Sequence, residues 1–313
     1  MGASLVVFAP SPLLTITVEA ADTPAQEIHL HAGGQGFWVA RMAALLGVEV
    51  SLCCALGGES GGVLRALIAR EEVAPLSVEC DAANGVYIHT RRGNDARKQI
   101  ARTESGRLSR HETDELYGLA FSAALDANLA LLTGVDPPSV VESEIYRRLA
   151  SDLRSNGVRV IADLSGSCLQ AALAGGVDLL KISEEEALAE GVAGGPAVED
   201  LMRALERLHR DGADTVLISR ATKPALALDG ARERYLELVG PRVETLEPRG
   251  TGDSMFAALG AGLAAGQDLD GAMRMAMAAG CLNATRHGLG TGTRHEIEQI
   301  SHHITLQELR SPL

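Results

Sequence analysis

Near the carboxyl end of this 313-residue chain, Pro248-Arg249-Gly250-Thr251-Gly252-Asp253-Ser254-Met255 follows β-type sequence and opens an Ala-rich helical stretch. A glycine-rich turn at a helix start exposes free backbone N–H groups, and these, with the helix dipole, stabilise a transferring phosphoryl group. Gly250, Thr251 and Gly252 then make an anion hole, with Asp253 beside it to accept a proton from an attacking hydroxyl. A plain helix cap with glycines for close packing fits the same spacing. Gly57-Gly58-Glu59-Ser60-Gly61-Gly62 reads either as a phosphate-binding nest or as a strand-to-helix turn. Other chemistries lack their residues: the three lysines, Lys98, Lys181 and Lys223, form no GxxxxGK[ST], the nine histidines include no HExxH, and Gly34-Gln35-Gly36 is an incomplete dinucleotide fingerprint.

Such residues need a scaffold, and the hydrophobic pattern supplies one. Short β-type runs at 5–8, 48–52, 128–132, 158–162, 177–181 and 215–219 alternate with helix-period stretches at 36–46, 62–70, 112–125, 140–154 and 198–210. That alternation predicts an α/β fold, a mostly parallel central sheet flanked by helices, with ligand loops at the strand ends. Residues 85–101 break it, reading as a hairpin around Gly93-Asn94-Asp95. With strands at 15–19 and 27–31, this hairpin is expected to form a small, discontinuous β lid, about 13–31 and 84–103, on a single domain spanning 1–313.

A net charge of −13, from 41 acidic and 28 basic residues, argues against nucleic acid or an anionic membrane as partner. With 46% hydrophobic residues the chain can bury a large core. Its five cysteines show no CxxC spacing and read as reduced core residues. No basic leader or spanning apolar run is evident, so a cytoplasmic location is expected.

Gly250-Thr251-Gly252-Asp253-Ser254 resembles the GAGD signature of the PfkB (ribokinase-like) carbohydrate kinases. His31-Ala32-Gly33-Gly34-Gln35-Gly36-Phe37-Trp38-Val39-Ala40-Arg41 resembles the GGKGxNVAR segment of the branch containing phosphofructokinases and tagatose-phosphate kinases. Leu132-Thr133-Gly134-Val135-Asp136-Pro137, Ile161-Ala162-Asp163-Leu164-Ser165-Gly166 and Lys181-Ile182-Ser183-Glu184-Glu185-Glu186 continue the match in order along nearly the whole chain. The resemblance implies a ribokinase-like fold and a kinase that moves phosphate from ATP, with Mg2+, to a hydroxyl of a sugar or sugar phosphate. It implies Asp253 as base, Gly250, Thr251 and Gly252 around the phosphoryl group, and Lys181 and Ser183 at the nucleotide phosphates. Glu186 would order magnesium through water, while Ser219, Ala221, Asn283 and Gly288 would surround the nucleotide. Gly33, Gly34, Gln35, Trp38, Thr15 and Lys98 fall on the acceptor side, and a homodimer through the lid is expected; a monovalent-cation requirement is left open.

The departures from the family gather where substrates bind. Thr15 stands in place of the aspartate of an NPxxD pattern, Gln35 in place of the GGKG lysine and Trp38 in place of an asparagine. Ala82-Ala83-Asn84 occupies the region of an expected arginine, leaving Arg91, Arg92, Arg97 and Lys98 as nearby cations, which suit either an anion clamp or a solvated hairpin. Ser183 replaces the asparagine of KPNxxE, and Glu184, Glu185 and Glu186 also suit any helix start. Ser219-Arg220-Ala221-Thr222-Lys223-Pro224-Ala225 lacks both glycines of SxGxxGA. Trp38 reads equally as a stacking platform or as core. A weak or inactive sensor of nucleotide or metabolite, and a kinase for a nucleoside-like acceptor, are the alternative readings.

Overall fold

In the computed structural model, residues 2–19, 27–91, 98–127, 129–246, 249–286 and 290–311 are described. The chain opens with β1 (Ser4–Phe8), β2 (Leu13–Glu19), β3 (Glu27–Gly33), α1 (Gln35–Leu45), β4 (Glu49–Gly57), α2 (Gly58–Ile68), β5 (Ala74–Cys80), β6 (Val86–Arg91) and β7 (Lys98–Thr103). It continues through α3 (Arg110–Ala127), β8 (Leu129–Thr133), α4 (Glu144–Ser155), β9 (Arg159–Asp163), α5 (Gly166–Gly175), β10 (Val177–Ser183), α6 (Glu184–Ala189) and α7 (Val198–Arg210). The last part holds β11 (Ala213–Arg220), β12 (Lys223–Asp229), β13 (Arg234–Val239), α8 (Thr251–Ala264), α9 (Leu269–Ala284), α10 (Arg294–Ser301) and β14 (Thr305–Leu309).

Ten of these strands form one sheet, ordered β14-β13-β12-β11-β10-β9-β8-β1-β4-β5. From β5 to β11 every neighbour is parallel; β11 to β14 are antiparallel. The parallel strands are buried apolar runs such as Leu129–Thr133 because helices cover both faces. One core lies under α1, α8 and α9, the other under α3, α4, α5 and α7. Strand order reverses at β1, which sits between β8 and β4, and ligands bind α/β sheets beyond the strand ends at such a switch.

The six expected strands and five helices are present, with shifted ends. A 3₁₀ turn, Pro138–Val140, precedes α4, so that helix begins at Glu144 rather than near 140. α2 starts at Gly58 and absorbs the Gly57–Gly62 loop. The second sheet is ordered β3-β2-β6-β7, so the segments expected to form the small sheet do assemble. Its registers put Thr15, Thr17, His29, His31, Tyr87 and His89 on one face, and Ile16, Val18, Ile28, Leu30 and Ile88 on the other.

Candidate active site

Gly250 caps α8 with a φ of 72°, a left-handed turn that glycine adopts without strain. The helix hydrogen bonds begin with Ser254 N–H donating to Gly250 O at 2.9 Å, so the amides of residues 251–253 precede the ladder. A Cβ on Gly252 would lie 2.7 Å from Lys181 Nζ: the glycine lets the ammonium come right up to the turn. The Thr251 hydroxyl is buried there and has no hydrogen-bond partner among the described residues.

Asp253 keeps an exposed edge, but its carboxyl is hemmed in. Burial, reinforced by the Asp163 carboxylate, opposed by Lys181 and reinforced again by Glu186, pushes its pKa up to about 7. Lys181 Nζ pairs with Asp163 Oδ2 at 2.9 Å, with side chains only 5% and 3% exposed. Burial pulls the Lys181 ammonium down, yet the carboxylates of Asp163, Glu186 and Asp253 outweigh it, so its net shift is upward. Burial likewise drives Asp163 up against the pull of Lys181.

At the end of β10, Ser183 caps α6 through a capping box. Its hydroxyl donates to Glu186 Oε2 at 2.6 Å and accepts from Glu186 N–H at 3.1 Å, while Ser183 N–H donates to Glu186 Oε2 at 2.8 Å. These bonds use one oxygen of Glu186. Glu184 is held by Arg220 Nε and Lys223 Nζ, each at 2.9 Å, which ties α6 to the β11–β12 hairpin. In that hairpin Ala221 has a φ of 47°, at the first position of a two-residue turn where glycine is usual.

Three carboxylates, one ammonium and a line of helix-start amides thus converge at the carboxyl ends of β9 and β10 and the start of α8, an arrangement suited to binding a polyphosphate and moving a proton. A profile of the pfkB family of carbohydrate kinases matches residues 13–296. The chain belongs to the PfkB family of carbohydrate kinases. ATP-dependent 6-phosphofructokinase isozyme 2 of Escherichia coli is 28% identical over 272 residues, covering 86% of each protein. The crystal structure of E. coli phosphofructokinase-2 in complex with potassium superposes with a TM-score of 0.84 at 25% identity, covering 96% of this chain and 99% of that one. Arabidopsis thaliana ribokinase, solved with ribose and ATP, gives 0.73 at 20% identity over 96% of this chain and 99% of its own, so the fold is ribokinase-like. This PfkB protein is therefore a kinase, and its reaction class is phosphoryl transfer from ATP to a carbohydrate hydroxyl.

Several residues expected at the PfkB site sit elsewhere or are already engaged. Asn283 is fully buried; its Nδ2 donates to Arg249 O at 2.8 Å and its Oδ1 accepts from Ser254 Oγ at 3.1 Å, so it braces the Gly250 turn from beneath. The Ser183 hydroxyl is spent in its capping box, which leaves no donor for a phosphate. Lys98 pairs with Thr90 across the edge of the small sheet, on the face away from Thr15, and so does not join the acceptor-side residues. Ser219 is buried at the end of β11, in register with Ser183. Gly288, Arg92, Arg97, Asn128, Pro248 and the Gly93-Asn94-Asp95 turn lie outside the described residues.

Of the residues expected on the acceptor side, Thr15 and Trp38 both lie against Gly33. A Cβ on Gly33 would fall 2.5 Å from Thr15 Oγ1 and 3.4 Å from the Trp38 ring. Trp38 also packs edge-on against Phe37 at 5.2 Å, so part of its ring is core. Asn84, singled out only for not being arginine, is a missed structural residue. Its Oδ1 accepts from Gly57 N–H at 2.9 Å, and its Nδ2, with two hydrogens to share, lies 3.1 Å from each of Ser11 Oγ, Pro12 O and Ala55 O, joining the small sheet to β4 and α2. Its one legible signal was a polar residue set among Ala82, Ala83 and Gly85.

Proposed function

We propose that this PfkB kinase passes the γ-phosphoryl group of ATP in line to a hydroxyl of a sugar or sugar phosphate, with Asp253 as the base. The carrying observation is a carboxyl beside helix-start amides with its pKa pushed up to about 7, where a base takes and releases protons at neutral pH. The amides of Gly250, Thr251 and Gly252 hold the transferring group, and Lys181 offsets charge beside Gly252. Glu186, Asp163 and Asp253 set three carboxylates against one ammonium, a surplus of hard oxygen donors that fits Mg2+. Glu186 would hold that ion through water, and bound there it offsets phosphate charge. Ser219 and the Ala221 turn flank the nucleotide.

Thr15 and Trp38 line the acceptor pocket, where Gly33 and Gly34 let backbone approach the substrate. In this reading the chain is one domain, and its small sheet closes as a lid that excludes water and limits ATP hydrolysis. Ile28 and Leu30, exposed on the apolar face of the lid, support a homodimer formed through it. A net charge of −13 is unfavourable for polyanions, and no described helix is long and apolar enough to cross a membrane. We therefore place the enzyme in the cytoplasm with small-molecule substrates. ADP release from ATP and Mg2+ across sugars, sugar phosphates and nucleosides tests the reading. Acceptor-dependent release that Asp253→Asn abolishes is expected; release unaffected by that substitution would remove Asp253 from the mechanism.

A further inference from the structure

Gln35, the first residue of α1, replaces the lysine of the family segment, and its amide is committed to the protein. Gly134 N–H donates to Gln35 Oε1 at 2.8 Å, and Gln35 Nε2 donates to the Asp163 backbone O at 3.4 Å. One side chain thus links the ends of β8 and β9 to the loop that carries Gly33 and Gly34.

We propose that Gln35 is a positioning residue for phosphoryl transfer: it holds the Asp163 main chain at the end of β9, and the Asp163 carboxylate in turn seats Lys181 against Gly252 and beside Asp253. The proposal rests on the roles given above to Lys181 and Asp253. A buried ion pair offsets its desolvation only when its geometry is held closely. Lys181 Nζ meets Asp163 Oδ2 at 2.9 Å in a setting almost closed to water, and Gln35 anchors the Asp163 backbone from which that carboxylate projects. A lysine at position 35 could not do the same work, because an ammonium has no lone pair for Gly134 N–H and would compete with Lys181 for Asp163. Gln35 also follows directly on the Gly33-Gly34 loop beside Thr15 and Trp38. The acceptor loop and the phosphate-side ion pair therefore move as one piece.

The competing view, that Gln35 touches the acceptor, predicts different kinetics. We would measure kcat, acceptor KM and, by calorimetry, the affinity for a non-hydrolysable ATP analogue with Mg2+, in Gln35→Ala, Gln35→Glu, Asp163→Asn and the Gln35→Ala/Asp163→Asn double variant. Gln35→Ala should lower kcat about tenfold and weaken analogue binding while acceptor KM stays within about twofold. Gln35→Glu should be worse despite its shape, since it sets a carboxylate against Asp163. In the Asp163→Asn background, Gln35→Ala should change kcat by less than about twofold. A raised acceptor KM with kcat intact, a Gln35→Glu enzyme equal to wild type, or additive losses in the double variant would each overturn the proposal. Should Gln35→Ala fold poorly, Gln35→Met keeps the volume without the amide and carries the same comparison. If the wild type shows no turnover, the catalytic reading fails separately, and analogue affinity alone decides: a non-additive loss supports the coupling, and additive or absent loss refutes it.

Discussion

Lys181 and Asp163 face each other at 2.9 Å with both side chains almost sealed from water. Such a pair is costly to break from one side, because the survivor is a buried charge without a partner. Lys181→Met should lower stability by about 3–5 kcal/mol, and adding Asp163→Leu should restore most of it. Urea unfolding of the two singles and the double checks this; a double variant no more stable than Lys181→Met would mean that Asp163 is not the source of the penalty.

The pH behaviour of Asp253 follows from its position. A base must be deprotonated to act, and with a pKa of about 7 the acceptor kcat/KM should rise through neutrality and flatten above it. The effect on stability has the opposite direction. Because the folded-state pKa lies above the ordinary 3.8, the folded chain holds its proton longer than the unfolded one, and stability falls as pH rises from about 4 through 7. Asp253→Asn removes that loss, so its Tm advantage over wild type should be larger at pH 8 than at pH 4. An advantage independent of pH would show that Asp253 is not the titrating group.

Asn84 is predicted to matter for folding and not for chemistry. Asn84→Ala strands Gly57 N–H and removes the two amide hydrogens shared among Ser11 Oγ, Pro12 O and Ala55 O in a buried setting, at a cost of about 2–3 kcal/mol. Thermal unfolding should show the loss while ATP KM stays near wild type; a change within error would mean that water replaces the amide.

What could be read from the chain and what could not divides along physical lines. β8 to β11 were legible because both faces of a parallel strand are covered, which leaves dense apolar runs such as Leu129–Thr133. β12 was not: Pro224 suggests a loop, yet it falls outside both neighbouring registers. The helix start at Gly250–Asp253 and the strand end at Lys181 were legible as local signals, but their meeting, with Lys181 Nζ against Gly252, is a long-range contact that no local signal reports. The bracing role of Asn283 is not legible in the sequence because its partners, Arg249 and Ser254, lie about 30 residues away, a distance that periodicity does not report. The resemblance alone sets Gln35 on the acceptor side, and nothing local announces Gly134 and Asp163 as its partners.

The Ala221 turn is a case where backbone geometry outlasts the residue that suits it. Its φ of 47° costs an alanine about 1–2 kcal/mol, partly returned by the lower entropy of unfolded alanine relative to glycine. Ala221→Gly should therefore stabilise the chain by about 0.5–1 kcal/mol and leave the Arg220 and Lys223 contacts to Glu184 in place. Denaturant midpoints decide it; a destabilised variant would indicate that the turn tolerates alanine without strain.

Thr251 offers a sharper separation of stability from catalysis. Its hydroxyl is buried at the start of α8 without a hydrogen-bond partner among the described residues, and an unsatisfied buried hydroxyl costs about 1–3 kcal/mol. Thr251→Ala, which restores the alanine of the family signature, should stabilise the ligand-free protein by about 1 kcal/mol. If the hydroxyl finds its partner in the transferring phosphoryl group, the same substitution should lower kcat several-fold without altering acceptor KM, because the bond would exist only on the way to the transition state. Gain of stability with loss of kcat is the expected pair of results, read by thermal unfolding and steady-state kinetics on the same preparation. Gain of stability with unchanged kcat would assign the hydroxyl to ground-state packing and leave the backbone amides to hold the phosphoryl group alone.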